Sequence, residues 1–219
     1  MGIARYVLVF GLTGCLLTSC RQHGCTDPDA TNHNPKAKVS DNSCIYPPDH
    51  CTDVIDARDG AKYKAIKIGD LCWMTNNLNY ESPSSWCYDD SAINCDSHGR
   101  LYRWDKARQI CPDGWHLPSF SEWMELLDHF GGVDGAGSSL MQGGASGMEI
   151  MVSGMNQWSG PSQYQYEFKN LDVSGYYWTS SEHQAGTSAY AISFSKSSMT
   201  ASVNVMQEAH GLSCRCVKD

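Results

Sequence analysis

The chain has 219 residues and a formal net charge of −8, with 24 acidic side chains against 16 Lys and Arg. Recognition of nucleic-acid phosphates needs clustered Lys and Arg, and because no such run occurs, the sequence argues against nucleic acid as a partner. No apolar run reaches the about 20 residues that a membrane-spanning helix needs. Glycine, serine, tryptophan and tyrosine are plentiful, which is typical of a loop-rich extracellular domain.

The first residues have the organisation of a bacterial lipoprotein signal peptide. A short positive n-region precedes Tyr6–Leu17, an apolar run of signal-peptide length, and Leu17-Thr18-Ser19-Cys20 ends it. An aliphatic residue, two small residues and a cysteine form the site at which such a signal is cleaved and the cysteine is lipidated. We therefore predict removal of residues 1–19, lipidation of Cys20 and attachment to the outer membrane, at its periplasmic or its cell-surface face. Cys15 ends a similar pattern after a shorter apolar run and is the alternative site.

Nine of the 11 cysteines follow that segment. In an oxidising compartment, this set predicts four disulfides and one odd cysteine. Zinc is the competing interpretation, but zinc sites usually use closely spaced pairs, and only Cys214 and Cys216 are that close. We therefore expect disulfides, and neither a metal nor another cofactor.

Residues 20–50 form a separate polar module with too few apolar residues to build a core. Cys25 and Cys44 bracket it, and a disulfide closing a loop of this size contributes roughly 3 kcal/mol in the chain-entropy model. The segment resembles a small repeat of secreted Bacteroidetes proteins with the pattern GC-T-D-P-x-A-x-N-Y-N-P-x-A-x-x-D-D-G-S-C. Its side-chain oxygens are weak candidates for calcium binding, and the alternative is that they accept backbone hydrogen bonds in turns. The residues concerned are Asp27, Asp29, Asn32, Asn34 and Asp41.

Residues 51–219 form the main domain, in which helical patterns come first and strands follow, so we predict the α+β class. Alternating apolar and polar residues predict a first strand. A second helix is predicted to begin at Ser119 or Ser121, to bury one apolar face and to end at Gly131-Gly132. The glycine-rich stretch 132–160 is predicted to be loop. The predicted strands are Tyr63–Ile68, Tyr176–Thr179, Ala189–Phe194, Ala201–Met206 and a closing strand in Gly211–Val217, and the first helix is predicted over Leu101–Ile110.

The remaining cysteines suggest three pairs in this domain. Cys51 and Cys72 flank the first strand, and Cys87 and Cys95 bracket a short polar loop. Cys111 precedes the second helix, and its partner is either Cys214 or Cys216, which point to the same face if they lie on one strand.

Several ordered motifs are spread over residues 52–219. They are Asp59-Gly60-x-x-Tyr63-Lys64, Ile68-Gly69, Trp73-Met74-x-x-Asn77-Leu78-Asn79-Tyr80, Gly99-Arg100-Leu101-Tyr102, Cys111-Pro112-x-Gly114-Trp115-His116-Leu117-Pro118-Ser119, Glu122-Trp123, Trp178-x-Ser180-Ser181 and Arg215–Asp219. Together these motifs resemble the Fibrobacter succinogenes major paralogous domain family. The resemblance implies an exported, often lipid-anchored protein, and no activity is established for this family as a class. The family ends in Arg-Cys-Val-Lys-Asp, so the resemblance favours Cys216 over Cys214 as the partner of Cys111.

The segment Trp115–Trp123 is also similar to the RLPTEAEWE segment of formylglycine-generating enzymes. This resemblance implies a C-type-lectin-like fold, with two short helices packed on a twisted, mostly antiparallel sheet. In those enzymes a pair of cysteines binds copper, whereas residues 112–213 of this chain contain no cysteine. The sequence also lacks an H-E-x-x-H helix and a G-x-S-x-G elbow. We therefore expect no catalytic residues, and a structural role for His116.

Lectin-like folds carry binding groups on long loops, so we expect a lipid-anchored binding or adhesion protein whose ligand is a glycan or a protein. The alternative is a structural or assembly subunit of the envelope or of a surface appendage, in which the odd cysteine could cross-link subunits. The third candidate is an enzyme related to the formylglycine-generating fold. Aromatic side chains suit rigid contacts and small polar side chains suit adaptable ones. The alternative, which is favoured for any single residue, is a surface turn or a buried aromatic side chain on a strand. The predicted ligand surface comprises Trp158, Tyr164, Tyr166, Tyr176, Tyr177, Ser180, Ser181 and Glu182.

Overall fold

The structure is a computed structural model that describes residues 21–28, 30–45, 51–160 and 165–219. The chain divides into two compact units, Met1–His50 and Cys51–Asp219. The predicted signal peptide, Cys15 and Cys20 lie outside the described residues, and so do Asp29 and Tyr164. None of the helices within the described ranges has the length and apolar character that a membrane crossing requires.

In the first unit, two short strands and one disulfide organise the described residues. Strand β1 (His23–Gly24) pairs in parallel with β2 (Val39–Ser40). The Cys25–Cys44 disulfide joins the two ends of the module. Among residues 21–28 and 30–45, only Cys25 and Ala30 are buried, so these residues form no hydrophobic core of their own.

The second unit, Cys51–Asp219, contains short strands in its first half and long strands in its second. Its strands are β3 (Val54–Ile55), β4 (Lys62–Tyr63), β5 (Ala65–Ile68), β6 (Leu71–Met74), β7 (Ser85–Trp86), β8 (Leu101–Tyr102), β9 (Trp115–His116), β10 (Ser153–Trp158), β11 (Tyr166–Leu171), β12 (Ser174–Gln184), β13 (Ser188–Ser195), β14 (Thr200–Gln207), β15 (Leu212–Ser213) and β16 (Val217–Lys218). Its α-helices are α1 (Ala92–His98), α2 (Trp104–Ala107), α3 (Phe120–His129) and α4 (Gly132–Leu140), and a 3-10 turn spans Tyr88–Asp90.

The main sheet has eight strands and is mostly antiparallel. Strand β13 lies between β12 and β14 in antiparallel register, and β10 pairs with β11 in the same way. Parallel contacts join β12 to β10 at Gly175 and to β15 at Tyr177. A second sheet has the order β5-β6-β16-β9, and β3 pairs with β4. This arrangement of sheets and short helices agrees with the α+β class.

Two hydrophobic clusters form the core of the second unit. One lies around Trp104 and Trp178, and the other lies around Trp73 and Trp123. These four indoles are 2% exposed or less, whereas Trp115 is only partly buried. Helix α3 buries its predicted face through Trp123, Leu126 and Leu127, because apolar side chains three and four residues apart share one side of a helix.

Arg215 connects distant parts of the second unit from inside the protein. Its side chain is fully buried, and its guanidinium donates to the carbonyls of Met74, Met148 and Glu149 and to Asn77 Oδ1 over 2.7–3.1 Å. Burial lowers the pKa of Arg215. Since a buried polar group is tolerated only when it is hydrogen-bonded, these four acceptors explain why a cation is stable here.

The structure corrects the predicted helices and loops. There are four α-helices in the described residues rather than two. Residues 101–102 form a strand and only 104–107 a helix, because β8 pairs with both β7 and β15. The loop predicted between Cys87 and Cys95 contains a 3-10 turn and the start of α1. The first predicted strand is divided between β4 and β5, and the closing strand between β15 and β16.

The stretch 132–160 is not a continuous loop, since it contains α4 and β10. Helix α4 includes three glycines, which disfavour helix in isolation. Gly137 explains their presence in part, because a Cβ at this position would lie 2.0 Å from the carbonyl oxygen of Met199. Close packing against the start of β14 therefore outweighs the low helical propensity.

Candidate functional site

Several residues of the predicted ligand surface stabilise the fold instead. Tyr177 is fully buried, and its hydroxyl donates to the carbonyl of Met151; its assignment to a ligand surface was wrong, because β12 runs through the core at this point. Ser181 Oγ accepts a hydrogen bond from Phe120 N–H at the start of α3. The Ser180 N–H donates to the Pro118 carbonyl. These contacts attach β12 to α3 and to the segment that precedes it.

The other predicted residues lie in different places. Tyr176 is half-buried, and its hydroxyl accepts from Asn170. Tyr166 packs on Trp86 with ring centroids 4.8 Å apart. Glu182 is exposed, and its carboxylate accepts from the Gly186 N–H in the turn after β12. None of these residues lines the cleft described next.

Trp158 is at the end of β10, where two neighbouring cavities meet. The first has a volume of about 600 Å³ and the second about 480 Å³, and both are lined by Trp158 and Gln207. We call the two cavities together the Trp158 cleft. Its remaining lining residues are Gln157, Ser159, Gly160, Val205 and His210 in the first cavity, and Arg103, Gln184, Gly186, Thr187, Ser188, Glu208 and Ala209 in the second.

His210 presents an unused hydrogen-bond donor in the first cavity. The side chain is 7% exposed, and its Nδ1 accepts the Trp158 N–H over 3.0 Å. Burial lowers the pKa of His210, so the ring is neutral at pH 7, and with Nδ1 accepting, the proton is on Nε2. Nε2 has no hydrogen-bond partner among the described residues, so it is available to a ligand in the cleft.

Arg103 and Glu208 add charged groups in the second cavity. Arg103 Nε and Glu208 Oε1 are buried atoms without a hydrogen-bond partner among the described residues. Arg103 Nε lies 3.3 Å from Asp105 Oδ1, an ion pair that does not satisfy hydrogen-bond geometry. Burial, and then the charge of Glu182, raises the pKa of Glu208. Leaving a buried polar atom unpaired costs stability, and both side chains line the second cavity.

His116 belongs to a separate cluster that connects β9 to α3. Its Nδ1 lies 2.7 Å from Asp219 Oδ1, and its Nε2 lies 3.0 Å from Glu122 Oε1. Burial lowers the pKa of His116, but hydrogen bonds to Glu122 and Asp219 outweigh it, and the net shift is upward. Ser119 Oγ donates to Glu122 Oε2 rather than to His116, and the same two residues form a capping box at the start of α3, in which each side chain accepts the other's backbone N–H. Since a nucleophile must contact its base, this cluster lacks the geometry of a serine hydrolase.

The calcium candidates of the first unit accept backbone hydrogen bonds. Asn32 Oδ1 accepts from Ile45, Asn34 Oδ1 from Lys36, and Asp41 Oδ1 from Ser43. The bonds from Ser43 lower the pKa of Asp41. Within the described ranges, no group of three His, Cys, Asp or Glu side chains is arranged to hold a metal ion. The turn-forming interpretation accounts for these three side chains.

The four disulfides of the structure are Cys25–Cys44, Cys51–Cys72, Cys87–Cys95 and Cys111–Cys216, as expected from the sequence. Cys214 is free and fully buried. Burial raises the pKa of its thiol well above the usual range. The thiol therefore cannot cross-link folded subunits, which removes the argument that the odd cysteine offered for an assembly subunit.

Residues 66–218 match the Fibrobacter succinogenes major domain. The match covers more than half of the chain, and the chain belongs to this family. The family is a paralogous domain of surface or secreted proteins. No curated protein and no solved structure matches the chain.

Sequence reasoning identified Trp158 but missed the polar residues that surround it. Arg103 precedes α2, whereas Gln207 ends β14 and Glu208 and His210 follow it, about one hundred residues further along the chain. No motif marks them, because single polar side chains near strand ends are common. The only available signal was the run Gln207–His210 next to the predicted end of a strand.

Proposed function

We propose that the protein is an exported, lipid-anchored binding protein of the cell envelope that has no catalytic activity and binds a glycan in the Trp158 cleft. The observation that carries this proposal is the combination of a half-buried tryptophan, Trp158, with a buried histidine, His210, whose Nε2 has no hydrogen-bond partner among the described residues. An aromatic face packs against the C–H groups of a sugar ring, and planar polar side chains pair with its hydroxyls.

The size and lining of the cleft support a glycan over a flat protein surface. Cavities that hold small ligands commonly have volumes of about 300–1,000 Å³ with a few convergent polar groups. The Trp158 cleft supplies amides from Gln157 and Gln207, the imidazole of His210 and the charged groups of Arg103 and Glu208. These groups include both donors and acceptors, which is what a hydroxyl requires.

The lectin-like fold remains part of this proposal. It is supported by the similarity of Trp115–Trp123 to the formylglycine-generating enzymes and by the position of that segment before and within α3. The absence of catalysis is supported by the lack of cysteine in residues 112–213, where those enzymes carry copper ligands. It is also supported by the His116 cluster, in which the nearby serine hydroxyl contacts a carboxylate.

Glycan binding is tested by a glycan array probed with residues 21–219, followed by calorimetric titration of the ligands retained. Trp158→Ala is expected to weaken binding at least tenfold, or about 1.4 kcal/mol. Tyr176→Phe is the matched control, because Tyr176 belongs to the predicted surface but does not line the cleft. Absence of any retained glycan, or equal weakening by both variants, would contradict the proposal.

Anchoring is tested by metabolic labelling with a palmitate analogue. Cys20→Ala is expected to abolish labelling, whereas Cys15→Ala should leave it intact, and the reverse result would move the lipidation site. Protease treatment of intact cells then distinguishes the cell-surface face from the periplasmic face of the outer membrane.

A further inference from the structure

Strand β14 is an open edge of the main sheet. It pairs with β13 over its full length, Thr200–Gln207, and with no other strand in the described part of the chain. The Glu208 N–H donates to the Thr187 carbonyl, which extends this ladder by one pair. Since backbone groups alternate in direction along an antiparallel ladder, the odd-numbered residues of β14 direct their N–H and C=O groups outward.

This edge lacks the features that usually prevent association. Edge strands are normally short, or carry charges, prolines or bulges. Strand β11, at another edge, has an ion pair between Lys169 and Glu167, and β7 has only two residues. Strand β14 has eight residues, a continuous register and no charge, proline or glycine. Val203 and Val205 on it are 41% and 48% exposed.

We infer that β14 is an interaction surface that pairs antiparallel with the β14 strand of a second copy of this chain. A row of outward N–H and C=O groups is matched only by another extended backbone. With the twofold axis at Asn204, Val203 of each copy lies opposite Val205 of the other, so the exposed valines cover one another. Directly opposed β-branched pairs stabilise a sheet. The strand carries no charge, so copies of a chain with net charge −8 meet here without like charges in opposition.

The register makes a specific prediction for disulfide trapping. Asn204 is an even-numbered residue, so it faces its symmetry mate in a non-hydrogen-bonded pair, where Cα atoms lie about 4.5 Å apart. This distance is within the range of a disulfide. Ser202 is on the same face of the same strand, but its symmetry mate is four positions away. Ser202→Cys is therefore the matched control for Asn204→Cys.

The test is mild oxidation of cells that produce the full chain, followed by non-reducing electrophoresis. Asn204→Cys is expected to give a covalent dimer in several-fold higher yield than Ser202→Cys.

Purified residues 21–219 should sediment at twice the monomer mass, and Val205→Lys should restore the monomer mass with an unchanged circular dichroism spectrum. Equal cross-linking of both cysteine variants, a monomeric wild type, or a disulfide between the Asn204→Cys variant and a different protein would overturn the inference. Trp158→Ala should not change the mass, which separates this outcome from that of the glycan proposal.

Discussion

The two units of the chain, Met1–His50 and Cys51–Asp219, are stabilised in different ways. In the first, the described residues have almost no buried side chains, and one disulfide acts together with side-chain-to-backbone hydrogen bonds such as those of Asn32. In the second, two hydrophobic clusters fill the interior and three disulfides are added to them. A disulfide is indispensable where no core exists and only additive where one does.

The largest expected effect comes from removing the disulfide of the first unit. Replacing Cys25 and Cys44 by Ala should abolish the structure of residues 21–45, because the described residues of this segment form no core that could oppose chain entropy. Amide hydrogen exchange in this segment should become that of an unfolded chain, whereas protection in 51–219 should be unchanged. If the amides of residues 21–45 remained protected from hydrogen exchange, the turns of this segment would hold its structure without the disulfide.

In the second unit, replacing a pair of disulfide-bonded cysteines by Ala should weaken the fold without abolishing it. Cys111 and Cys216 are 105 residues apart, and replacing both by Ala should cost about 4.7 kcal/mol of unfolding free energy in the chain-entropy model. Cys87 and Cys95 are 8 residues apart, and their replacement should cost less than the about 3 kcal/mol of a 15-residue loop. Urea unfolding of both double variants measures the difference, and equal losses would refute the dependence on loop length.

Cys214 tests whether a cysteine in the second unit acts as a packing group. Cys214→Ser should cost about 1–3 kcal/mol, because the hydroxyl would be buried in apolar surroundings. Cys214→Ala removes only one atom and should cost less. A thiol reagent at pH 8 should not react with Cys214 until the protein is denatured, and rapid reaction of the native protein would contradict the burial of this side chain.

The smallest effect concerns pH and belongs to the His116 cluster. The folded-state pKa of His116 is raised above 6.5 and that of Glu122 is lowered below 4.5. The histidine therefore contributes stability below pH 6.5 that is lost as pH rises through its folded pKa, and the glutamate contributes stability above pH 4.5 that is lost at lower pH. The His116 side chain is 40% exposed, so each contribution stays below about 1 kcal/mol.

Thermal unfolding between pH 4 and pH 9 measures this dependence. The wild-type protein should be most stable between pH 4.5 and pH 6.5, the ordinary pKa values of Glu122 and His116. In His116→Gln, the decline in stability above pH 6.5 should be absent. The first unit has no corresponding buried pair among its described residues, so exchange protection in 21–45 should not follow this profile. An identical decline in His116→Gln would assign it to another group.

The sequence predicted the elements that follow from local chemistry. The cap at Ser119 and the apolar spacing of α3 are local signals, and the strands predicted over 176–179, 189–194 and 201–206 lie within the observed bounds of β12, β13 and β14. Helix α4 could not be predicted in the same way. Its glycines disfavour helix locally, and only the close approach of Gly137 to Met199 explains them.

The candidate site shows the same division. Trp158 could be selected from its residue type, but Tyr177, selected for the same reason, is buried. Exposure depends on which side of β12 faces the core, and β12 is covered in the region of Tyr177. His210 and Arg103 were missed because their roles depend on neighbours that are distant in the sequence.

The sequence by itself determined the family through motifs with specific spacing, and it determined three disulfides through cysteines that bracket short segments. These features depend on residue types and on separations of about 20 residues or fewer. The tertiary structure decided where the Arg215 guanidinium finds its acceptors and which polar atoms meet at Trp158. It also decided that β14 pairs with a single strand among the described residues, since pairing between strands depends on contacts that no local pattern specifies.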